Sequence, residues 1–327
     1  MESRILVTGG AGYIGSVVAD LLVRKGHHVT ILDNLSHGHA SAVPQGAELI
    51  GADLSHRASL EAVFARGRFD AVVHFAALIE AGESMRVPEI YFRNNTASTL
   101  TLFESMLAHH VKKFVFSSTA ALYGNPERTP IEEDAPLHPT NAYGESKLLV
   151  ELRLRWFHQI HGFRYASLRY FNVAGAWESH GEDHRPETHL IPNVLAVALG
   201  KKQSISIFGD DYPTPDGTCI RDYIHIHDLA RAHLRALEAL DRRDNLIYNL
   251  GNGKGFSVRE VIESARRVTG HAIPAELQPR RPGDPAVLVA SSEKIRRELG
   301  WKPEYATLDS IIASAWEWHK AHPAGYE

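Results

Sequence analysis

Residues 4–15 read RILVTGGAGYIG, a short β-rich run that gives way to glycines at 9, 10, 12 and 15 just where helical spacing begins. The run satisfies GxGxxG from Gly10 and GxxGxxG from Gly9. Glycines at these positions permit a tight turn and let the backbone approach a pyrophosphate, while the helix behind them offers free N–H groups and a partial positive charge. A bare glycine pattern is weak, but here a strand precedes it, a helix follows, and the second strand ends in Asp33, 18 residues beyond Gly15. A carboxylate there can hold a ribose 2′-hydroxyl and repel a 2′-phosphate, which favours NAD over NADP.

Outward from this point the chain keeps alternating. β-rich runs fall at 4–9, 27–33, 47–53, 69–77, 112–118 and 164–171, and apolar residues with helical spacing fill 13–25, 58–66, 88–109 and 142–160. Continuous apolar strands alternating with helices predict an α/β fold, a Rossmann-type doubly wound parallel sheet. After about residue 174 the pattern loosens into a polar loop (178–188), a helix (189–199), a strand (205–209) and a strand feeding a helix from 221. Ser257 with Glu260 three residues on signals a capping box for a helix at 258–269, and 306–321 reads as a last amphipathic helix. The expected organisation is a dinucleotide-binding domain over 1–174 and a smaller C-terminal α/β substrate-binding lobe over 175–327, with some segments returning to the first domain.

Composition narrows the class. The chain has 327 residues, 44% hydrophobic and 23% charged, an ordinary globular balance. A formal net charge of -4 gives no electrostatic case for nucleic acid or an anionic membrane as partner. No apolar run is long enough to span a bilayer, and the first residues lack a signal-peptide pattern. The one cysteine, Cys219, fits a reducing cytosol and reads as a small free thiol.

YGESK (143–147) carries the chemistry. Four helical residues advance about 6 Å and turn about 400°, so Tyr143 and Lys147 share a face. Ionising a phenol near neutral pH takes about 4 kcal/mol, which two adjacent positive charges, an ammonium and a nicotinamide, are expected to supply. The result is a general base for a sugar hydroxyl. Thr119, at the end of the FVFSS strand (114–118), stands where ligands meet such sheets and can bond the same substrate oxygen. Asp53, at the end of the third strand, can face the adenine.

GGAGYIGS, HFAA, FVFSSTAALYG, YGESK, LRYFNVAG, IFGDDYPTPDGT, RDYIHIHDLA, YNLGNG and RRPGDPA, in order over nearly the whole chain, resemble the UDP-glucose (UDP-galactose) 4-epimerases of the extended short-chain dehydrogenase/reductase family. The resemblance implies a tightly held NAD that is not consumed. It implies interconversion of UDP-glucose and UDP-galactose by transient oxidation at sugar C4. By resemblance Tyr143 is the base, Lys147 contacts the nicotinamide ribose, and Thr119 bonds substrate. Gly9, Gly12, Tyr13, Ile14, Gly15, Asp33, Asn34, Asp53, Leu54, Phe75, Ala76, Ala77, Asn94 and Phe171 line the cofactor, together with Tyr143 and Lys147. Asn172, His189, Leu190, Phe208, Arg221, Arg281, Asp284 and Leu288 fall on substrate positions, Arg221 and Arg281 being suited to phosphate. The family also implies a cytoplasmic homodimer built on the helices at 88–109 and 142–160.

Three departures stand out. Ile79 replaces a Lys of better-known members, and His189 replaces an Asn of some. Leu288 replaces a large Tyr that restricts the sugar pocket in some members, so the pocket is expected to admit a 2-acetamido group. Alternatives are a 4-epimerase of another UDP-sugar (UDP-N-acetylglucosamine or a UDP-pentose), a nucleotide-sugar 4,6-dehydratase and a non-catalytic NAD sensor. Dehydration needs an acid–base carboxylate pair beside Thr119, where the chain has Ala120 and Ala121. A sensor is expected to lose the Tyr or the Lys. Twenty histidines invite a metal reading, through His180, His184 and His189 or through His225 and His227, but with neither Cys ligands nor HExxH no metal is expected. Trp156 and Phe157 are expected to pack.

Overall fold

The computed structural model describes residues 2–281 and 284–327, so the Pro-Gly pair inside RRPGDPA lies outside the described residues. In chain order the first elements are β1 (Arg4–Thr8), α1 (Tyr13–Arg24), β2 (His28–Asp33), β3 (Glu48–Gly51), α2 (Arg57–Gly67) and β4 (Ala71–His74). Next come α3 (Ala81–Ser84), α4 (Pro88–Tyr91), α5 (Ser98–Ala108), β5 (Lys113–Thr119), α6 (Ala142–His161), β6 (Arg164–Tyr170), β7 (Asn172–Ala174) and α7 (Leu190–Ala198). The chain continues through β8 (Ile205–Phe208), β9 (Ile220–His225), α8 (Ile226–Ala239), β10 (Asn245–Leu250), β11 (Gly255–Ser257) and α9 (Val258–Thr269). It closes with β12 (Ala275–Gln278), β13 (Val287–Leu288), α10 (Glu293–Leu299) and α11 (Leu308–Ala321).

Two compact units emerge. The first holds residues up to Asn125, Ala135–Arg169 and Ala230–Tyr248; the second holds Pro126–Asp134, Tyr170–Leu229 and Asn249–Glu327. The chain passes between them more than once, and most of α8 and β10 lie in the first unit.

A seven-stranded sheet, ordered β10-β6-β5-β4-β1-β2-β3, organises the first unit. The pairs β1/β2, β1/β4, β2/β3 and β4/β5 are parallel. The strand order reverses at β1/β4, so the loops after those two strands diverge and open a crevice at the carboxyl edge. Leu60, Val63 and Phe64 of α2, Leu102, Phe103 and Met106 of α5, and Val150 and Leu154 of α6 pack onto Leu6, Val72, Phe114 and Phe116 of the strands. Burial on both faces explains why the strands read as unbroken apolar runs. Helix α6 starts where the Asn141 side chain accepts from Gly144 N (2.8 Å) and stops at Gly162, whose φ of 69° favours a residue without Cβ.

The single helix expected over 88–109 is instead α4, a π-helical stretch Phe92–Ala97, and α5. The wider turn lets buried Asn95 bond both backbone groups of Leu78 (N–H to Oδ1 2.8 Å, Nδ2 to O 2.9 Å) and Ser146 Oγ of α6 (3.0 Å). Phe157 packs against the core as expected, whereas Trp156 is 64% exposed.

In the second unit β9 is flanked by β7, β11 and β13, and β8 pairs with β12. Its core gathers Ile191, Val194 and Leu195 of α7, Val261 and Ile262 of α9, and Ile311, Ile312 and Trp316 of α11. The capping box is formed: Ser257 Oγ accepts from Glu260 N (3.1 Å) and Glu260 Oε2 accepts from Ser257 N (2.7 Å).

Candidate active site

The glycine loop closes the end of β1. Gly9 has φ 70°, and a Cβ there would lie 2.4 Å from Ala76 N, because Phe75 N and Ala76 N both donate to Thr8 O (2.8 and 3.1 Å). A Cβ on Gly15 would lie 2.2 Å from Gly9 O, so α1 can start this close to the turn only with glycine. Gly12 meets nothing nearer than Gly9 O at 3.4 Å. It caps α1 without a side-chain acceptor, and Tyr13 and Ile14 begin the helix with no acid in its first turn. The strand edge thus ends in a cradle that a side chain would fill, at a helix start with no acidic side chain in its first turn, which fits a dinucleotide pyrophosphate.

Asp33 is fixed at the end of β2. Its Oδ2 accepts from Ala11 N (3.0 Å) and its Oδ1 from Leu35 N (2.8 Å), leaving each oxygen a further lone pair for a ribose hydroxyl. Strand β3 stops at Gly51, so Asp53 lies in the turn beyond it rather than at its last residue. Its Oδ2 accepts from Asn34 Nδ2 (2.7 Å) and its Oδ1 from Ser55 N and Oγ (2.8 and 2.6 Å); chiefly through the Ser55 hydroxyl, these bonds hold its carboxyl below the usual range. Leu54 is built into the apolar core. Phe75 lies 4.9 Å from the His233 ring, Ala77 is half-buried, and Asn94 donates to Asn95 Oδ1 (3.0 Å).

Tyr143 opens α6, its N–H donating to Ser84 Oγ (3.1 Å). Thr119 Oγ1 accepts from Ala121 N (3.1 Å), and the Thr119 hydroxyl acts to lower the pKa of the Tyr143 phenol. Lys147 is buried; its Nζ donates to Ser117 O (3.0 Å) and sits 5.0 Å from the centre of the Phe116 ring. The expected acidification of Tyr143 is not the balance the protein strikes by itself. Burial pushes the phenol up, Glu80 adds to the rise, and the Thr119 hydroxyl works against both. Burial also pulls the Lys147 ammonium down to about 7. Both shifts disfavour charge in a dry site, so an added cation would act there with little screening.

A buried network supports these residues from behind. Arg169 of β6 pairs with Glu151 of α6 through Nη2–Oε2 (2.6 Å) and Nε–Oε1 (3.1 Å), and its Nη1 donates to the Tyr123 hydroxyl (2.9 Å). Ser118 Oγ donates to Glu151 Oε1 (2.6 Å), which ties the network to the residue before Thr119. Also unforeseen is buried His74, with Nδ1 2.6 Å from Thr8 Oγ1 and Nε2 3.1 Å from Thr99 Oγ1; burial, helped by Lys147, lowers it to about 3 and keeps it neutral.

The second unit carries the remaining candidates. Asn172 pairs with Tyr223 across β7/β9, and Leu288 pairs with Arg221 across β13/β9. Arg221 Nη2 is ion-paired with Asp284, and its Nη1 donates to Ile220 O (2.8 Å). The Arg281 guanidinium lies 4.0 Å from the centre of the Phe208 ring. Phe171, expected beside the cofactor, belongs to this unit and donates its N–H to Leu250 O (3.3 Å). His189 caps α7 ahead of Leu190, and its ring is engaged by Glu182 and Glu187. Burial draws the His189 imidazole down, but the two carboxylates outweigh it and carry it to about 11; His184 follows the same logic to about 9.

The profile of the NAD dependent epimerase/dehydratase family matches residues 5–251. A UDP-glucose 4-epimerase of Halalkalibacterium halodurans is 54% identical over 98% of this chain and 97% of its own length. A solved UDP-glucose 4-epimerase structure superposes with a TM-score of 0.97 at 52% identity, covering 99% of both chains. The Bifidobacterium longum UDP-glucose 4-epimerase, solved in complex with NAD+ and UDP, superposes with a TM-score of 0.94 at 41% identity, covering 98% of this chain and 99% of its own.

Proposed function

The chain belongs to the NAD dependent epimerase/dehydratase family, and on that premise we propose that it interconverts UDP-glucose and UDP-galactose by transient oxidation at sugar C4. Its cofactor is NAD. The observation that carries the reading is buried Lys147, anchored on Ser117 O (3.0 Å) two residues before Thr119 and one helical turn from Tyr143.

Bound at the glycine cradle with its ribose on Asp33, NAD supplies a hydride acceptor for sugar C4 and a positive charge near the phenol. Tyr143 takes the proton of the 4-hydroxyl and returns it after the sugar has presented its other face. Thr119 donates to the phenolate and so favours it. Lys147, pinned on Ser117 O, holds a fixed position whichever way that proton moves. Arg221 and Arg281 take the diphosphate; Asp284 and Phe208 hold the two guanidiniums in place. Dehydration is disfavoured, because the turn after Thr119 places Ala120 and Ala121 where an acid–base pair would have to stand.

The sugar pocket is read from Leu288, the strand partner of Arg221. A leucine there leaves room that a tyrosine would fill, so the chain is expected to accept the N-acetylated pair as well. The test is a panel of UDP-sugars followed by NMR at C4. Inversion of UDP-galactose supports the function, and its absence with NAD present contradicts it. UDP-N-acetylgalactosamine should be turned over within about a thousandfold of UDP-galactose in kcat/KM; a larger gap, beyond about 4 kcal/mol, contradicts the Leu288 reading alone.

The same reading extends to a cytosolic homodimer. Leu152, Trp156 and Ile160, four residues apart on α6, are 41%, 64% and 67% exposed and form an apolar stripe suited to a second copy. Among the described residues no helix is long and apolar enough to cross a membrane, and the one cysteine suits a reducing compartment.

A further inference from the structure

The polar loop ahead of α7 gathers four potential ligands within eight residues: Glu182, His184, Glu187 and His189. His189 Nδ1 lies 3.0 Å from Glu182 Oε1 and 2.9 Å from Glu187 Oε1. His184 Nδ1 lies 3.2 Å from the same Glu182 oxygen and 3.8 Å from Glu187 Oε2. Two imidazoles therefore aim the same ring nitrogen at one carboxylate oxygen, and each of those nitrogens also faces the second carboxylate. A single N–H proton is directional and serves one acceptor well. A cation at the centre serves all four groups at once.

The spacing of the ligand atoms has the right scale. Four donors around a tetrahedral zinc at about 2.0–2.1 Å stand about 3.3 Å from one another. The four His–Glu separations, 2.9–3.8 Å, bracket that edge, and the four ligand atoms all lie within 4.8 Å of one another. Glu182 is 95% buried (5% exposed), and the cations facing its carboxylate come from the two imidazoles rather than from a lysine or arginine. A bound dication would replace the two imidazolium protons, which leave to solvent; the two carboxylates and the two imidazoles, then neutral, carry the charge it cancels, and a nitrogen–oxygen set of this kind suits zinc and its first-row neighbours. A second group, His227 with Asp228 and Glu304, is less suited: both Asp228 oxygens already accept from Glu304 N and Tyr305 N (2.8 and 2.9 Å).

We propose that Glu182, His184, Glu187 and His189 form a tetrahedral site for a divalent first-row transition ion, zinc foremost. The ion is structural. It staples the loop of residues 182–189 to the start of α7 through His189, whose backbone N–H already donates to Glu187 Oε1 (2.7 Å). All four ligands come from one short segment, so the ion sets the shape of that loop and the direction in which Leu190 leaves it.

The test uses the full chain, stripped by dialysis against a chelator and titrated with Zn2+ in competition with a chromophoric chelator. One saturable equivalent per chain is expected, with X-ray absorption at the zinc edge showing imidazole and oxygen scatterers at about 2.0–2.1 Å and no sulfur. Glu182→Gln and His184→Ala should each weaken binding by roughly a hundredfold or more. A wild-type chain that binds no equivalent overturns the proposal, as does one whose equivalent is held unchanged by both variants. Should the variants fail to fold, the zinc-edge anomalous map of wild-type crystals decides. A peak shared by His184 Nδ1 and His189 Nδ1 supports the site; a peak elsewhere, or none, overturns it.

Discussion

Tyr143→Phe is expected to lower kcat by about 10²- to 10⁴-fold while leaving NAD bound and KM for the UDP-sugar nearly unchanged. The substitution removes one oxygen and keeps the ring, so α6 retains its Asn141 cap and its Tyr143 N–H bond to Ser84. Lys147 keeps its hold on Ser117 O, because that bond does not involve the phenol. What disappears is the group that takes and returns the sugar proton. Thr119 is left with only its contact to Ala121 N and cannot replace it, since a hydroxyl of ordinary acidity is a poor base at neutral pH. Steady-state kinetics with dinucleotide content measured on the same preparation checks this. A Phe variant that retains more than a tenth of wild-type kcat contradicts the role given to Tyr143, and one that loses NAD shows that the phenol oxygen, not the ring alone, holds the cofactor.

Arg169→Ala should cost about 3–5 kcal/mol, because it leaves Glu151 charged and buried with only the Ser118 hydroxyl beside it. The side chains of Arg169 and Glu151 are 3% and 6% exposed, so water cannot take over the lost partner. Burial opposes the charge on Arg169, but Glu151 more than compensates and raises its pKa further. A melting temperature lowered by roughly 6–20 °C is expected in thermal unfolding. The double variant Arg169→Met with Glu151→Gln should recover much of the loss, since removing both charges also removes the desolvation cost. Single and double variants that are equally destabilised would show that the two residues are not coupled. The network reaches Ser118, so the Arg169 variant should also lower kcat through a displaced Thr119; a fully active but unstable protein would limit the network to folding.

These two predictions rest on residues of very different legibility. Tyr143 and Lys147 stand four apart, and the glycine loop stands between a strand and a helix, so local spacing brought them forward. Glu151 and Arg169 did not stand out. One is a charge on a helix and the other a charge in a strand, both ordinarily solvated, and only the packing of α6 on the sheet makes them partners. Asn95 was hidden for a similar reason: helical spacing over 88–109 gave no sign of the π-helical turn that carries it to Leu78 and Ser146. In the loop at 182–189 the histidines drew notice and the glutamates did not, because their convergence depends on how the loop folds. The electrostatics were the least legible part. Tyr143 and Lys147 are both driven toward neutrality by burial, an effect no spacing reveals.

The central claim is that the hydrogen leaving sugar C4 is held within the protein and returned to the same carbon. UDP-galactose carrying deuterium at C4, incubated with the chain in ordinary water until both epimers are present, tests it directly by NMR. Full retention of deuterium at C4 in the UDP-glucose formed is the predicted result. Replacement of that deuterium by solvent hydrogen as interconversion proceeds would contradict it.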